Sequence, residues 1–284
     1  MNGDESIVLD GRLDEPAWND AQYVGGFVQA EPLQGQPASE RTEVRVLYND
    51  DAIFIGARLY DRDLSQIVTT DTSRDSNLGV QDSFQVIFDT FRDRQNGFVF
   101  GTNADGIQYD AQVRSQGNPS SSWDGSWEVA TTTDERGWYA EMRIPFTTLR
   151  YGAEGAQTWG LNFERRIRRN SEEAVWAPIP RQFSLYRVSL AGTMDLVAPA
   201  SRIATISPYL LSDGFKDYTV TSPNAEFRAK VGGDAKIGLN QSLTLDLTVN
   251  TDFAQAEVDD QQVNLTRFSL FFPEKRAFFL ENAG

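Results

Sequence analysis

The feature that most constrains this chain is a two-residue alternation of apolar and polar side chains, carried in short segments and interrupted by turn-forming residues. EVRVLY and AIFIGARLYD, joined by Asn49-Asp50-Asp51, read as one hairpin. In SFQVIFD, Phe84, Val86 and Phe88 alternate with Ser83, Gln85 and Ile87. GFVFGTNADGIQYDAQVR reads as a second hairpin turning on Ala104-Asp105-Gly106, WEVATTTDERGWYAEMRIPF as a third turning between Asp134 and Gly137, and TWGLNFERRIRR as a further strand. Successive side chains of a strand point to opposite faces, so each segment has a face to bury. About eight such strands with turns this frequent predict an all-β fold, an antiparallel β-sandwich of jelly-roll type. The one helix-like piece is EPAWNDAQ, with Asp14 as the expected cap, Pro16 in the first turn and a length of about two turns.

After residue 198 the pattern changes. In SLTLDLTVNTDF, Leu243, Leu245, Leu247 and Val249 share one face, while Thr244, Asp246, Thr248 and Asn250 share the other. ATISPYLLSDG and FRAKVGGDAKIG are similar amphipathic strands of ~9–11 residues, the length at which a tilted strand crosses a bilayer. The expected organisation is therefore a sandwich over 5–198 and the start of a β-barrel region over 199–284. AGTMDLVAPAS is the expected linker. Phe268, Phe271, Phe272, Phe278 and Phe279, around Pro273-Glu274-Lys275-Arg276, read as a turn with aromatics at a membrane interface. Three or four strands close no barrel, so on this reading the 284 residues are a piece of a longer protein.

Composition removes several chemistries. The chain has no His and no Cys, which excludes disulfides, thiolate nucleophiles, imidazole acid/base catalysis and Cys- or His-ligated metals. Metals are limited to hard, oxygen-ligated ions such as Ca²⁺. The net charge of −15, of which −12 falls in residues 1–200, argues against nucleic acid as a partner, since phosphate binding rests on clustered Lys and Arg. No run of ~18 apolar residues marks a membrane helix. MNGDESIVLDG has neither the basic start nor the apolar stretch of a signal peptide.

Several segments, in order, carry a family resemblance: LDGRLDEPAW, VRVLYNDDAIFIGARLYDRD, QDSFQVIFDTF, a GW-x-x-E-x-RIPF segment and WGLNFERRIRR. Together they resemble the family 9 carbohydrate-binding modules of bacterial xylan-degrading enzymes, and more closely the variant that precedes an outer-membrane-type β-barrel in bacterial envelope proteins. NTDFAQAEVDDQQVNLTRFSLFFPEKRAFFLENAG is similar to the start of that barrel region. The resemblance implies a β-sandwich exposed to the periplasm or the cell exterior of a Gram-negative bacterium, with structural calcium and a sugar site. The sugar-binding members carry a Trp shortly before the strand corresponding to QDSFQVIFD. This chain reads SRDSNLGVQ there, which leaves one side of an aromatic clamp missing.

For calcium, Asp61, Asp63, Asp82 and Asp89 stand among the acidic groups near turns, where carboxylates and carbonyls together supply six to eight oxygens. The same residues equally suit solvated turns. For a glycan, Trp123, Trp127 and Trp176 lie in or beside polar sequence and are the candidate platforms, with core packing as their competing role. Trp18, Trp138 and Trp159 read as core. Arg166, Arg168 and Asn162 are the candidate polar contacts, beside Glu164. The alternative for the Arg run is ion pairing with Glu172 and Glu173. Glu141 is expected to pair with Arg143's side of the sheet.

The expected function is a non-catalytic module binding a polysaccharide or envelope glycan and displayed at the outer membrane. A structural or gating domain that docks on a barrel without a sugar ligand is the alternative. A part in a glycoside hydrolase system is the third; with 41 acidic residues, the sequence singles out no catalytic carboxylate pair.

Overall fold

The alternating segments become strands wherever one face can be buried. The computed structural model describes residues 7–200, 204–216, 225–240 and 243–250. The chain forms two units, divided after Ser201. Among the described residues the first unit holds a short helix, α1 (Pro16–Asp20), and the strands β1 (Tyr23–Val24), β2 (Val28–Glu31), β3 (Thr42–Tyr48), β4 (Ala52–Tyr60), β5 (Ser83–Asp89) and β6 (Gly97–Asn103). They are followed by β7 (Tyr109–Val113), β8 (Glu128–Asp134), β9 (Gly137–Pro145), β10 (Gly155–Ile167), β11 (Glu172–Val175) and β12 (Gly192–Ala198). One sheet runs β1-β3-β4-β9-β8. The other runs β2-β11-β10-β5-β6-β7, with β12 also paired to β10.

All three expected hairpins form, β3–β4, β6–β7 and β8–β9. At the first turn Asn49 Oδ1 accepts the backbone N–H groups of Asp51 and Ala52, the side-chain chemistry that makes Asn a turn former. The sequence reading missed β1, β2, β11 and β12, which are short or irregular edge pieces. It also took AGTMDLVAPAS for a linker, whereas Gly192–Ala198 is strand β12, paired with Gly155–Leu161 over seven positions. Small residues and Pro199 gave no period-two signal strong enough to outweigh the turn formers. α1 is shorter than expected: Glu15, not Asp14, occupies the N-cap position, and it makes no capping bond because its Oε1 instead accepts from the Val8 N–H.

The main core lies between the sheets. Ile53, Ile55, Leu59, Trp138, Met142 and Ile144 from the first sheet meet Phe84, Val86, Phe88, Phe100, Trp159 and Phe163 from the second. Trp18, Trp138 and Trp159 are fully buried, as expected. Each burial removes a large apolar surface from water, and truncating such a side chain costs about 3–5 kcal/mol.

Both sheets also carry apolar cover on their outer faces. On the first sheet, Leu13 and Trp18 pack on Ala52 and Phe54. Here Glu141 is the anchor. Its carboxylate accepts from the backbone N–H groups of Asp10 and Gly11, 3.0 Å each, and from the Trp18 indole at 3.1 Å. The expected pairing with Arg143 does not occur, because Arg143 pairs with Glu128. Gly11 has φ +80° and sits so close to Thr131 that a Cβ would lie 2.7 Å from the Thr131 carbonyl carbon. The LDG, the W of PAW and the E of YAEM are thus parts of one contact. On the second sheet, Leu185 and Val188 cover Ile87, Val99, Ala111 and Val113.

The second unit contains β13 (Ala204–Lys216), β14 (Ala225–Asn240) and β15 (Leu243–Val249), an antiparallel sheet in the order β13-β14-β15. The register places Ile206 opposite Ala235 and Ala235 opposite Leu247, and Leu210 opposite Val231. Cross-strand partners share a face, so Ile206, Leu210, Val231, Leu245, Leu247 and Val249 line one side, and all six are exposed. Ser207, Asp234 and Thr248 are on the other. The Phe268–Phe279 segment lies outside the described residues.

Candidate binding site

A pocket of 170 Å³ opens on the outer face of the second sheet. Its floor is a cross-strand row: Glu164 on β10 is opposite Gln85 on β5, Gln85 opposite Gly101 on β6, and Gly101 opposite Tyr109 on β7. Beside this row, Arg166 pairs across to Glu173 on β11. Period two decides which residues face the pocket. Phe163, Arg165 and Ile167 point into the sandwich, so Glu164 and Arg166 point out. Leu78 and Gly79, in the short 3₁₀ turn Leu78–Val80, form one wall, and Ser184 and Tyr186 the other. Gly101 makes room: a Cβ there would lie 2.6 Å from Leu78 Cδ1 and 2.9 Å from Gln85 Cγ.

The polar groups form a connected set. Gln85 Nε2 donates to Glu164 Oε1 at 3.2 Å, and Tyr186 donates weakly to Gln85 Oε1 at 3.5 Å. Arg166 Nη2 is ion-paired with Glu173 and stands 3.7 Å from Glu164 Oε1. Burial, with the Glu173 charge nearby, pushes the Glu164 carboxyl up to about 7, against the opposing pull of Arg166. Burial likewise raises the phenols of Tyr109 and Tyr186, which are hydrogen-bonded to each other and stay neutral. The pocket therefore offers two aromatic walls, a planar amide, two carboxyls and one guanidinium. Planar hydrogen-bonding groups beside aromatic rings suit recognition of a hydroxyl-rich ligand.

Of the residues expected to bind a ligand, only Arg166 lines this pocket. Asn162 is consumed by structure: its Nδ2 donates to Ala177 O, and its Oδ1 accepts from Ala177 N and Phe163 N, which ties β10 to the segment after β11. Arg168 is exposed and misses the pocket because β10 ends at Ile167 and a 3₁₀ turn, Arg168–Asn170, carries it away. The three Trp candidates pack inward. Trp127 is buried, T-shaped on Phe100, with its indole donating to Asp110 at 3.1 Å. Trp123 is half-buried on Phe98 and Phe100, and Trp176 half-buried on Phe163.

The four Asp residues chosen for calcium do not fit a common ion. Asp82 precedes the seven-residue strand β5 and Asp89 ends it, roughly 20 Å apart along an extended chain. Asp89 spends its oxygens on the N–H groups of Asp93 and Arg94. Asp61 and Asp82 do approach one another, but around a guanidinium: Arg165 Nη2 is 3.6 Å from Asp61, and Arg169 donates to Asp61 at 2.7 Å. Burial raises the Asp82 carboxyl, and Arg165 opposes that shift. Asp63 is exposed and holds Ser65 Oγ. Two arginines thus neutralise the place where a cation would sit, and a Ca²⁺ beside them would be repelled.

The sequence reading undervalued Gln85, Tyr109 and Tyr186. The available signal was polar residues inside otherwise apolar strands: Gln85 in SFQVIFD and Glu164 in LNFERRI are both 4% exposed. Cross-strand register, which aligns them, is not readable from one strand at a time.

Comparisons with known proteins agree with this architecture. A family described as "Carbohydrate family 9 binding domain-like" matches residues 9–173, and a family described as a domain of unknown function (DUF5916) matches residues 199–283. No curated protein matches the chain. A family 9 carbohydrate binding module from Caldicellulosiruptor kristjanssonii, solved in complex with cellotriose, is similar at 16% identity over 69% of this chain and 92% of its own, with a TM-score of 0.50. The module from the same organism in complex with glucose gives 17%, 70%, 95% and 0.50. A putative carbohydrate-binding protein from Bacteroides uniformis gives 12% identity, 63% and 89% coverage and a TM-score of 0.51. At these identities the likeness concerns the fold. The family match spans more than half of the chain, and the protein belongs to the carbohydrate family 9 binding domain-like family.

Proposed function

We propose that the sandwich is a non-catalytic carbohydrate-binding module whose ligand sits in the pocket over Gln85, Glu164 and Arg166. The observation that carries this reading is the pocket itself: planar amide, guanidinium and carboxyl groups beside Tyr109 and Tyr186, set on paired strands. Sugars offer hydroxyls to planar hydrogen-bonding groups and C–H faces to aromatic rings. The cavity is smaller than the ~300–1,000 Å³ of pockets for drug-sized ligands, so it takes a single sugar unit and leaves the rest of a chain outside. A glycan array followed by calorimetry on the full chain tests this. Binding to at least one saccharide is expected, weakened about tenfold or more by Tyr186→Ala with the fold retained by circular dichroism. No binding on the array, or binding indifferent to Tyr186→Ala and Arg166→Ala, overturns it.

A second element of the reading concerns the second unit, placed by us at a bacterial outer membrane as part of a β-barrel. Supporting it is the exposed apolar side formed by Ile206, Leu210, Val231, Leu247 and Val249, with Ser207, Asp234 and Thr248 on the reverse. Lipid-facing and lumen-facing residues alternate in this way in barrel strands. Co-sedimentation of the full chain with phospholipid vesicles is expected, and loss of it in Leu247→Asp. A chain that stays in the supernatant would sink the membrane reading.

A further inference from the structure

Hydrogen-bond inventory in the pocket goes further than "a sugar". Resting on the saccharide reading above, we infer that the pocket selects by charge, taking an amino sugar in preference to its neutral counterpart and rejecting the corresponding uronic acid. Part of the donor capacity of the pocket is already committed, while the Arg166 Nε has no partner. Gln85 Nε2 is given to Glu164, and Arg166 Nη2 to Glu173 with Glu164 close by. The acceptors are not exhausted. A carboxylate has about four lone-pair sites; Glu164 receives Gln85 and the backbone N–H of Leu185, and Glu173 receives Arg166. Two carboxylates face one guanidinium, so the fully ionised pocket carries one net negative charge.

Three consequences follow from that imbalance. A ligand ammonium, with three donors and a positive charge, fills the vacant acceptors and relieves the repulsion between Glu164 and Glu173, which adds to burial in raising the Glu164 carboxyl. A neutral hydroxyl at the same place also donates, but offsets no charge. A ligand carboxylate would share Arg166 with Glu173, and would bring a third negative charge into a site where Glu164 is 4% exposed. Glu173 is the specificity-determining residue in this arrangement because it supplies the second charge from a partly buried position on β11, where a change to Gln keeps the shape.

The test is calorimetry on the full chain at pH 7 and low salt, with glucose and galactose, their 2-amino forms and their uronic acids. The amino form is expected to bind about tenfold tighter than the neutral sugar, and the uronic acid more weakly than either. Glu173→Gln is expected to erase the amino preference, read as the ratio of amino-sugar to neutral-sugar affinity falling from about ten to about one. Equal affinity for the amino and neutral forms, or a uronic acid that binds best, overturns the charge selection and leaves saccharide binding standing. If none of the six sugars binds, the charge selection fails, and the saccharide reading stands or falls by the glycan array alone.

Discussion

Arg165 and Arg166 are neighbours on one strand and lie on opposite sides of one sheet. Arg165 is fully buried between the sheets, its Nη1 donating to Arg41 O and Thr42 Oγ1, and its Nη2 to Tyr60 O. Burial lowers it to about 10, while Asp61, Asp82, Glu40 and Glu172 hold it charged. Arg166 faces the pocket, bridging Glu173 and Glu164 at a site open to water. The difference separates two uses of one residue type. A guanidinium surrounded by carbonyls and carboxylates from β3, β4 and the start of β5 locks those segments together. A guanidinium with carboxyls on one side and a cavity on the other is available to a ligand.

The largest expected effect comes from breaking the buried side of this pair. Arg165→Met fills similar space but leaves Asp61 and Asp82 facing each other with only Arg169 near, and removing one partner of a buried ionic set costs about 3–5 kcal/mol. Urea unfolding is expected to show the unfolding free energy fall by that amount, with a correspondingly lower midpoint, whereas Arg166→Met changes stability by about 1 kcal/mol or less. Equal stability of Arg165→Met and the parent would mean that Arg165 is no internal counterion.

This contrast also explains what the sequence could say. Apolar alternation and Asn/Asp/Gly turns marked the three hairpins, β5 and β10, because local chemistry determines them. Alternation through RRIRR placed Arg165 and Arg166 on different faces, but nothing local says which face is inside. That is decided by Phe163 and Ile167, whose burial needs the partner sheet. The short edge strands were missed because two to four residues carry no period. The pocket was mostly missed because it is a row across four strands, and because Trp drew attention away from Tyr. Trp123, Trp127 and Trp176 lie in polar sequence, yet each has a Phe on the inner face to pack against.

A smaller effect is expected from the anchor on the outer face of the first sheet, and it depends on pH. Burial pushes the Glu141 carboxyl from 4.5 up to about 7, more than the N–H groups of Gly11 and Asp10 and the Trp18 indole pull it down. Between those two values the folded protein holds a proton that the unfolded chain has released. This contribution to stability is therefore full below about pH 4.5 and is lost as pH rises through 7. Glu164, raised to about 7 in the pocket, acts in the same direction. Glu141→Gln places an amide nitrogen against one of three donors and is expected to cost about 1–3 kcal/mol at pH 5. The same variant is expected to flatten the decline between pH 5 and 8 in thermal melts. An unchanged slope would mean that Glu141 does not titrate in that window.

The smallest effect is expected at the tryptophans, and it is the sharpest check on where the ligand sits. Trp176 packs on Phe163 and against Gly192, where a Cβ would come within 2.7 Å of the indole; Trp123 stands on Phe98 and Phe100. Both indoles are half-buried on the inner side of the sheet that carries the pocket on its outer side. Trp176→Phe and Trp123→Phe retain a ring for these contacts and are expected to lower stability by about 1 kcal/mol. Saccharide affinity is expected to stay within about twofold, because neither ring reaches Gln85, Glu164 or Arg166. A tryptophan change that abolishes binding in a folded protein, with Tyr186→Ala silent, would move the site from the tyrosine pocket to a tryptophan platform and return Arg166 to the same purely structural role as Arg165.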